Sequence, residues 1–150
     1  MKFLLMSFLL AGLVEQGFTC VDFSGNYTCT ANLEEEKASE VYDISIEQNG
    51  NTFTIIDDGI PETIIADGNT HNRPDELDII DSSYMATCEG QSVLYSMNGK
   101  YIEDNIENPF DMNTKHTLLT SEKFESVTNI VFENLVVNEK TTCIKDSIEE

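Results

Sequence analysis

VYDISIEQNGNTFTIID, residues 41–57, decides the fold class of this chain. Its first half alternates like a half-buried strand, with Tyr42, Ile44 and Ile46 on one face and polar residues between them. The dipeptide Asn49-Gly50 follows, and both of its residues tolerate the positive φ angles of a tight hairpin turn. A second run of strand-forming residues, TFTIID, comes next. The stretch therefore predicts an antiparallel β-hairpin.

Similar runs later in the chain extend this pattern, among them ETIIAD, ELDIID, SSYMATCEG, KHTLLTS and KFESVTNIVFENLVVN. A second Asn-Gly pair, Asn98-Gly99, predicts a turn between SVLYSM and KYIED, and residues 138–140 predict another turn. Pro109 marks residues 103–113 as a loop. Residues 31–40, ANLEEEKASE, suit either a short helix or a charged loop. The spacing predicts one all-β domain of roughly eight to ten short strands.

Periodicity alone does not separate a sandwich from a barrel, but short turns between successive strands describe a meander. A long meander removes its exposed edges by closing into an up-and-down barrel. FSGNYTC, residues 23–29, resembles the first-strand entry of lipocalin-like, or calycin, barrels. In that family a Gly-x-Trp pair bends the chain at the barrel floor and closes the floor with an aromatic ring. Here the pair is Gly25 and Tyr27, with tyrosine in place of tryptophan. The resemblance implies a single antiparallel barrel with a cupped interior for a small, mostly apolar ligand, and no cofactor.

The N-terminal residues favour export over a buried N-terminal helix or strand. FLLMSFLLAGLV, residues 3–14, has the length of a signal-peptide apolar core and is too short to span a bilayer. We expect residues 1–19 to be removed as a signal peptide and residues 20–150 to form the β-barrel domain. A lipoprotein signal would also end at Cys20, although Phe18 and Thr19 fit its small-residue pattern poorly. The expected location is secreted or periplasmic, with a lipid anchor on Cys20 as the alternative.

The charge of the chain restricts its partners. There are 28 acidic and 8 basic residues, which leaves a formal net charge of -20. Such a surface repels nucleic acid and anionic membrane faces and discourages self-association. We therefore expect a monomer that binds no nucleic acid and does not insert stably into membranes. An exported partner protein with a basic surface is compatible with this charge.

Four cysteines, Cys20, Cys29, Cys88 and Cys143, follow the signal region. An even number in an exported chain predicts two disulfides. Spacing does not give the connectivity, but in a closed barrel the chain ends lie side by side, which favours Cys20 with Cys143. Cys29 and Cys88 then remain as an inward-facing pair. The spacings contain no C-x-x-C, so we expect no structural metal.

The chain offers few catalytic or metal-binding candidates. DGNTHNRPDELD, residues 67–78, has oxygen ligands at alternate positions, but it lacks the mid-loop glycine and the final glutamate of a calcium loop, so a polar turn is favoured. His116 alternates with Leu118 and suits a packed or exposed strand position. No G-x-S-x-G motif is present. We expect a non-enzymatic protein; a buried His71 or His116 beside a carboxylate in a cleft would instead indicate an enzyme.

The inward faces of the strands supply the candidate ligand contacts. The alternations place five side chains inside the barrel: Tyr27, Tyr42, Ile44, Ile46 and Tyr84. Three phenols suit an apolar cavity with a few polar groups, although rings of this size also fill narrow barrels, and the filled interior is the first expectation. The expected function is binding of a small apolar or amphipathic ligand. The alternative is a protein-interaction or inhibitor module that acts through loops and an acidic surface.

Overall fold

The computed structural model describes residues 19–33, 39–133 and 135–147. These residues form ten antiparallel strands in one sheet, and they contain no helix. The strands are β1 (Gly25–Leu33), β2 (Ser39–Asn49), β3 (Thr52–Asp57), β4 (Ile60–Ile65), β5 (Thr70–Asn72), β6 (Ile79–Glu89), β7 (Ser92–Glu103), β8 (Ile106–Thr120), β9 (Lys123–Phe132) and β10 (Leu135–Lys145). The predicted all-β domain is confirmed.

Two sequence predictions fall outside the described residues. The predicted signal peptide, residues 1–19, lies outside the described residues except for Thr19, and the predicted helix or charged loop at residues 31–40 includes residues 34–38, which are also outside them. In the part of the chain that the structure covers, no helix is long and apolar enough to cross a membrane.

The sheet follows the chain order almost without exception. Its strand order is β4-β3-β2-β1-β10-β9-β8-β7-β6-β5, so all consecutive strands are paired except β4 and β5, and β1 also pairs with β10. The sheet curls into a half-barrel whose two edges, β4 and β5, are consecutive in the chain. β4 and β5 share no strand ladder; single contacts instead link β4 to Tyr84 of β6 and to Arg73, which follows β5. The Ile65 amide donates to the Tyr84 hydroxyl at 3.2 Å, and Arg73 pairs with Glu62 at 3.1 Å.

The hairpin predicted at residues 41–57 is present as β2 and β3. Its loop is one residue later than the sequence suggested, because Asn49 pairs with Thr52 and leaves Gly50 and Asn51 to turn the chain. Only the first of these has a positive φ, of 63°. That distribution is typical of a type II′ turn.

The turn predicted at Asn98-Gly99 is wrong, because both residues lie inside β7. The chain reverses instead at Asp104 and Asn105, whose φ angles are 52° and 63°. Gly99 is required by packing: a Cβ there would lie 2.8 Å from the Ser82 Cβ, where β6 comes close at an irregularity in its pairing. The glycine therefore marks a close approach of two strands.

The loop predicted at residues 103–113 is also wrong, since β8 begins at Ile106. Pro109 pairs with Lys100 of β7, and the pairing of β8 with β9 starts only at Phe110. The missing N–H of proline therefore costs no ladder bond to β9.

The turn predicted at residues 138–140 is wrong for a related reason, because these residues lie inside β10. Asn138 faces Asn129 of β9, and the Asn129 side-chain amide donates to the Asn138 side-chain oxygen at 2.7 Å. The chain turns earlier, at Glu133, whose φ is 23°. Asn138, whose composition suggested a turn, therefore forms a cross-strand hydrogen bond inside the sheet.

Both disulfides are present, but their predicted connectivity is wrong. Cys29 is bonded to Cys143 and Cys20 to Cys88, with Cα–Cα distances of 4.0 Å and 5.2 Å. Pairing of β1 with β10 brings Cys29 directly opposite Cys143. Residues 20–24, which we call the floor segment, cross one end of the half-barrel and carry Cys20 to the end of β6.

Aromatic rings pack against the floor segment. Phe23 meets Phe53 and Phe124 edge to face, at centroid distances of 6.2 Å and 5.6 Å. Tyr27 meets Phe124 at 4.9 Å, and its hydroxyl donates to the Phe23 carbonyl at 2.9 Å. The Lys145 ammonium lies 5.9 Å from the centre of the Tyr27 ring. Tyr27 is 1% exposed, so it closes this end of the half-barrel.

Candidate ligand cavity

The concave side of the half-barrel forms a cavity of about 800 Å³ that is partly open to solvent. The interior is therefore not filled by side chains, contrary to the first expectation from the sequence. Small-molecule sites in proteins commonly have volumes of about 300–1,000 Å³, so the cavity is large enough for a small organic ligand. The floor end of the cavity is lined by Phe23, Val93, Phe124 and Cys143. The opposite end, which we call the mouth, is lined by the β3–β4 turn and by residues 72–74 and 76.

Four of the five side chains predicted for the interior line the cavity. They are Tyr42, Ile44, Ile46 and Tyr84. The fifth, Tyr27, does not line it, because its ring lies beneath Phe124 and its hydroxyl is bonded to the floor segment. Tyr27 is therefore not among the residues that line the cavity; it packs at the floor end, as expected of a core residue or plug.

One wall of the cavity is apolar. It is built by the inward faces of the first strands in the sheet, because β2 and β3 alternate between apolar and polar residues. Its side chains are Ile44, Ile46, Phe53, Ile55 and Ile64. Most of a ligand's apolar surface would be buried against this apolar wall.

The opposite wall is polar and was not predicted. Its six side chains, which we call the polar wall, come from β8, β9 and β10: Thr114, His116, Ser126, Thr128, Glu139 and Thr141. Hydrogen bonds link them in pairs. Thr114 and Thr128 hydroxyls lie 3.0 Å apart, and the Thr141 hydroxyl donates to Glu139 at 2.8 Å. These groups leave the cavity with two chemically different sides.

The sequence of β9 alternates between polar and apolar residues, but here the polar residues face the interior, which is opposite to the usual assignment. On β9 the polar Ser126 and Thr128 face inward, while Val127 between them is 54% exposed on the outer surface. The usual assignment of apolar residues to the interior therefore selects the wrong face of this strand. The pairing of β9 with its neighbours determines which face turns inward.

His116 is the most enclosed titratable group of the polar wall. Its Nδ1 lies 2.6 Å from the Ser126 hydroxyl oxygen, and its Nε2 has no hydrogen-bond partner among the described residues. Burial lowers the pKa of His116 to about 4, so the ring is neutral at physiological pH. The Nε2 of the ring is able to hydrogen-bond a ligand in the cavity.

The buried imidazole makes stability depend on pH. In the unfolded chain His116 has its ordinary pKa of 6.5, so between pH 6.5 and about 4 the unfolded state binds a proton that the folded state excludes. Stability contributed by the neutral ring is present above pH 6.5 and is lost as the pH falls through this window. We expect a loss of about 3 kcal/mol relative to a variant without the titration.

The comparison variant is His116→Gln, which keeps a polar side chain and does not titrate. Urea unfolding of both proteins from pH 7 to pH 4 measures the difference, and the many surface carboxylates cancel between them. Parallel stability curves for the two proteins would show that His116 titrates normally in the folded state.

The mouth is held by a half-buried arginine. Arg73 pairs with Glu62 at 3.1 Å and with Glu76 at 3.0 Å, and its other terminal nitrogen donates to the Met97 sulfur at 3.1 Å. Tyr95 lies close by, and burial raises the pKa of its phenol to about 12. These contacts hold residues 73–76 against β4 and β7.

His71 lies outside the cavity lining, on β5. Its Nε2 is 2.9 Å from an Asp67 carboxylate oxygen, and its ring stacks on Tyr84 at 5.2 Å. The hydrogen bond to His71, followed by bonds to Asn69, lowers the pKa of Asp67 to about 2. This pair is partly exposed and does not line the cavity.

The loop considered for calcium uses its oxygens internally. The Asp67 carboxylate accepts a hydrogen bond from the backbone N–H of Asn69 at 2.9 Å. The Asp75 carboxylate accepts one from the backbone N–H of Asp81 at 3.0 Å. Among the residues that the structure describes, no group of three or more His, Cys, Asp or Glu side chains is arranged to hold a metal ion.

No family model, curated protein or solved structure matches this chain.

Proposed function

We propose that this protein is an exported, non-enzymatic binding protein that holds a small amphipathic molecule in its cavity. The observation that carries the proposal is the space of about 800 Å³ between an apolar wall and a polar wall. Such a space suits a ligand with an apolar body and at least one hydrogen-bonding group, because burying either wall against the wrong chemistry costs free energy.

Further features support the setting of this function. Two disulfides suit the oxidising environment of a secreted or periplasmic protein, as does the predicted signal peptide. The Gly25-x-Tyr27 entry, the sequential strand order and the ring of Tyr27 at the floor support a lipocalin-like architecture. The weak basicity of His116 supports a binding role over a catalytic one. The acidic surface supports a monomer that avoids nucleic acid and membranes.

Binding of a neutral fluorescent probe tests the proposal. N-phenyl-1-naphthylamine is expected to bind with a micromolar Kd, and Ile44→Trp is expected to weaken binding by about tenfold or more because the larger side chain occupies the cavity. The control is Val41→Trp, on the same strand but 63% exposed on the outer face. It should leave the affinity within about twofold of the wild type. A folded wild type that takes up no probe would contradict the proposal.

The interaction-module alternative has one observation of its own. Ile60, Leu77 and Ile106 are exposed apolar side chains in the segments at the mouth end, and Leu77 is 96% exposed. Acidic residues flank them, which fits contact with a basic exported protein. Absence of probe uptake by the folded protein, together with loss of partner binding in Leu77→Asp, would favour this alternative.

A further inference from the structure

The cavity lining has an excess of negative charge. Among its described residues are five carboxylates, of Asp57, Asp58, Glu62, Glu76 and Glu139, and one arginine, Arg73. Arg73 pairs with Glu62 and Glu76. The other three carboxylates have no basic partner within 4.0 Å among the residues that the structure covers.

Two of these carboxylates lie near an aromatic ring at the mouth. Tyr42, Asp57 and Glu139 all line the cavity, and Asp57 lies directly opposite Ile44, the next inward residue of β2 after Tyr42. Glu139 accepts a hydrogen bond from the neighbouring Thr141 hydroxyl. Burial raises the pKa of Tyr42, a hydrogen bond with Thr141 lowers it, and the charges of Glu139 and Asp57 raise it further. Glu139 comes from β10 and Asp57 from the end of β3, so the two carboxylates belong to strands on either side of β2 in the sheet. A ring face combined with carboxylates is the chemistry that binds an ammonium group.

The space below this group suits the remainder of such a ligand. The apolar wall begins at Ile44, one inward position along β2 from Tyr42, and continues to Ile46 and Phe53 toward the floor. Half-buried His116 also lines the cavity, and its Nε2 has no hydrogen-bond partner among the described residues, so it is available for a polar contact with the ligand. The carboxylates are therefore part of a formed cavity that extends from a charged mouth to an apolar interior.

On the basis of the proposed function, we propose that the ligand is a cationic amphiphile, an amine with an aromatic or aliphatic body. Its ammonium group lies at Tyr42, Asp57 and Glu139, and its body packs against the apolar wall. The net charge of -20 also speeds its arrival, because a negative protein attracts cations from solution.

A matched set of naphthalene ligands tests this inference: 2-(1-naphthyl)ethylamine, 2-(1-naphthyl)ethanol and 3-(1-naphthyl)propanoate. The chain has no tryptophan, so naphthalene fluorescence reports binding with little protein background. We expect the amine to bind about tenfold more tightly than the alcohol, and the carboxylate to bind most weakly. Equal or tighter binding of the alcohol or carboxylate would overturn the cationic ligand while leaving the cavity function intact. Failure of all three to bind would overturn both proposals.

Charge-removing variants separate the local site from general attraction. Glu139→Gln and Asp57→Asn are each expected to weaken amine binding by about fivefold and to leave alcohol binding unchanged. Glu47→Gln is the matched control, because Glu47 is exposed on the outer face of β2 and its loss changes the net charge equally. An equal loss of amine affinity in Glu47→Gln would mean that net charge, and not the group around Tyr42, attracts the amine.

Discussion

Replacement of both Cys29 and Cys143 by Ala is expected to lower the free energy of unfolding by about 5 kcal/mol. The bridge joins residues 114 apart in sequence, so its removal restores much conformational freedom to the unfolded chain. The side chains are also buried, at 0% and 1% exposure, so their loss leaves unfilled space in the core. Urea unfolding of the oxidised wild type and of the variant measures the difference.

The Cys20→Ala, Cys88→Ala double variant is the comparison. That bridge spans 68 residues, and the same chain-entropy treatment expects a loss of about 4 kcal/mol. It ties the floor segment to β6, so its removal should also loosen the Phe23 end of the cavity and weaken probe binding. Peptide mapping that found Cys29 bonded to Cys88 would contradict the β1–β10 register on which both expectations rest.

The sequence predicted those features that depend on neighbouring residues. Tyr42, Ile44 and Ile46 alternate with polar residues over a single strand, and alternation alone assigns them to one face. The Asn49-Gly50 pair located a hairpin to within one residue, since few other dipeptides turn so tightly. These local rules were sufficient to place four of the five predicted inward side chains on the cavity lining.

The wrong turn and loop predictions concern residues whose role depends on contacts with parts of the chain that are distant in sequence. Gly99 has no side chain, which allows Ser82 on the neighbouring strand to come close to it. The residues next to Gly99 in sequence do not indicate this contact. Pro109 is tolerated because β9 ends before reaching it, which depends on the relative lengths of two strands. A glycine or a proline in a sequence is therefore compatible with several local structures, and only the strand pairing shows which one is present.

The disulfides and the polar wall were missed for the same reason. Cys29 meets Cys143 because β1 and β10 pair in one particular register, and a shift of one residue would turn one of them outward. The inward position of Ser126 on β9 follows from that arrangement too, against the preference of valine for the interior. The net negative charge, in contrast, follows from the composition. That carboxylates gather near Tyr42 is evident only from the fold.

Tyr27→Ala is expected to lower the free energy of unfolding by about 3–5 kcal/mol, as truncation of large buried aromatic residues does. The ring is almost fully buried against Phe124, and its hydroxyl holds the floor segment through the Phe23 carbonyl. Tyr27→Phe removes only that hydrogen bond and leaves a buried carbonyl without its donor, which should cost about 1–2 kcal/mol. Urea unfolding of both variants separates the contribution of the ring from that of the hydroxyl.

Tyr42→Ala is the matched control, because it removes a ring of the same size from the mouth of the cavity. Tyr42 is only half-buried, so its loss exposes less apolar surface and should cost about 1–2 kcal/mol. The two tyrosines should also differ in ligand binding: Tyr42→Ala should weaken amine affinity directly, whereas Tyr27→Phe should leave it unchanged. If Tyr42→Ala destabilised the protein as much as Tyr27→Ala, the floor would not be the better-packed end of the half-barrel, and Tyr27 would not be its plug.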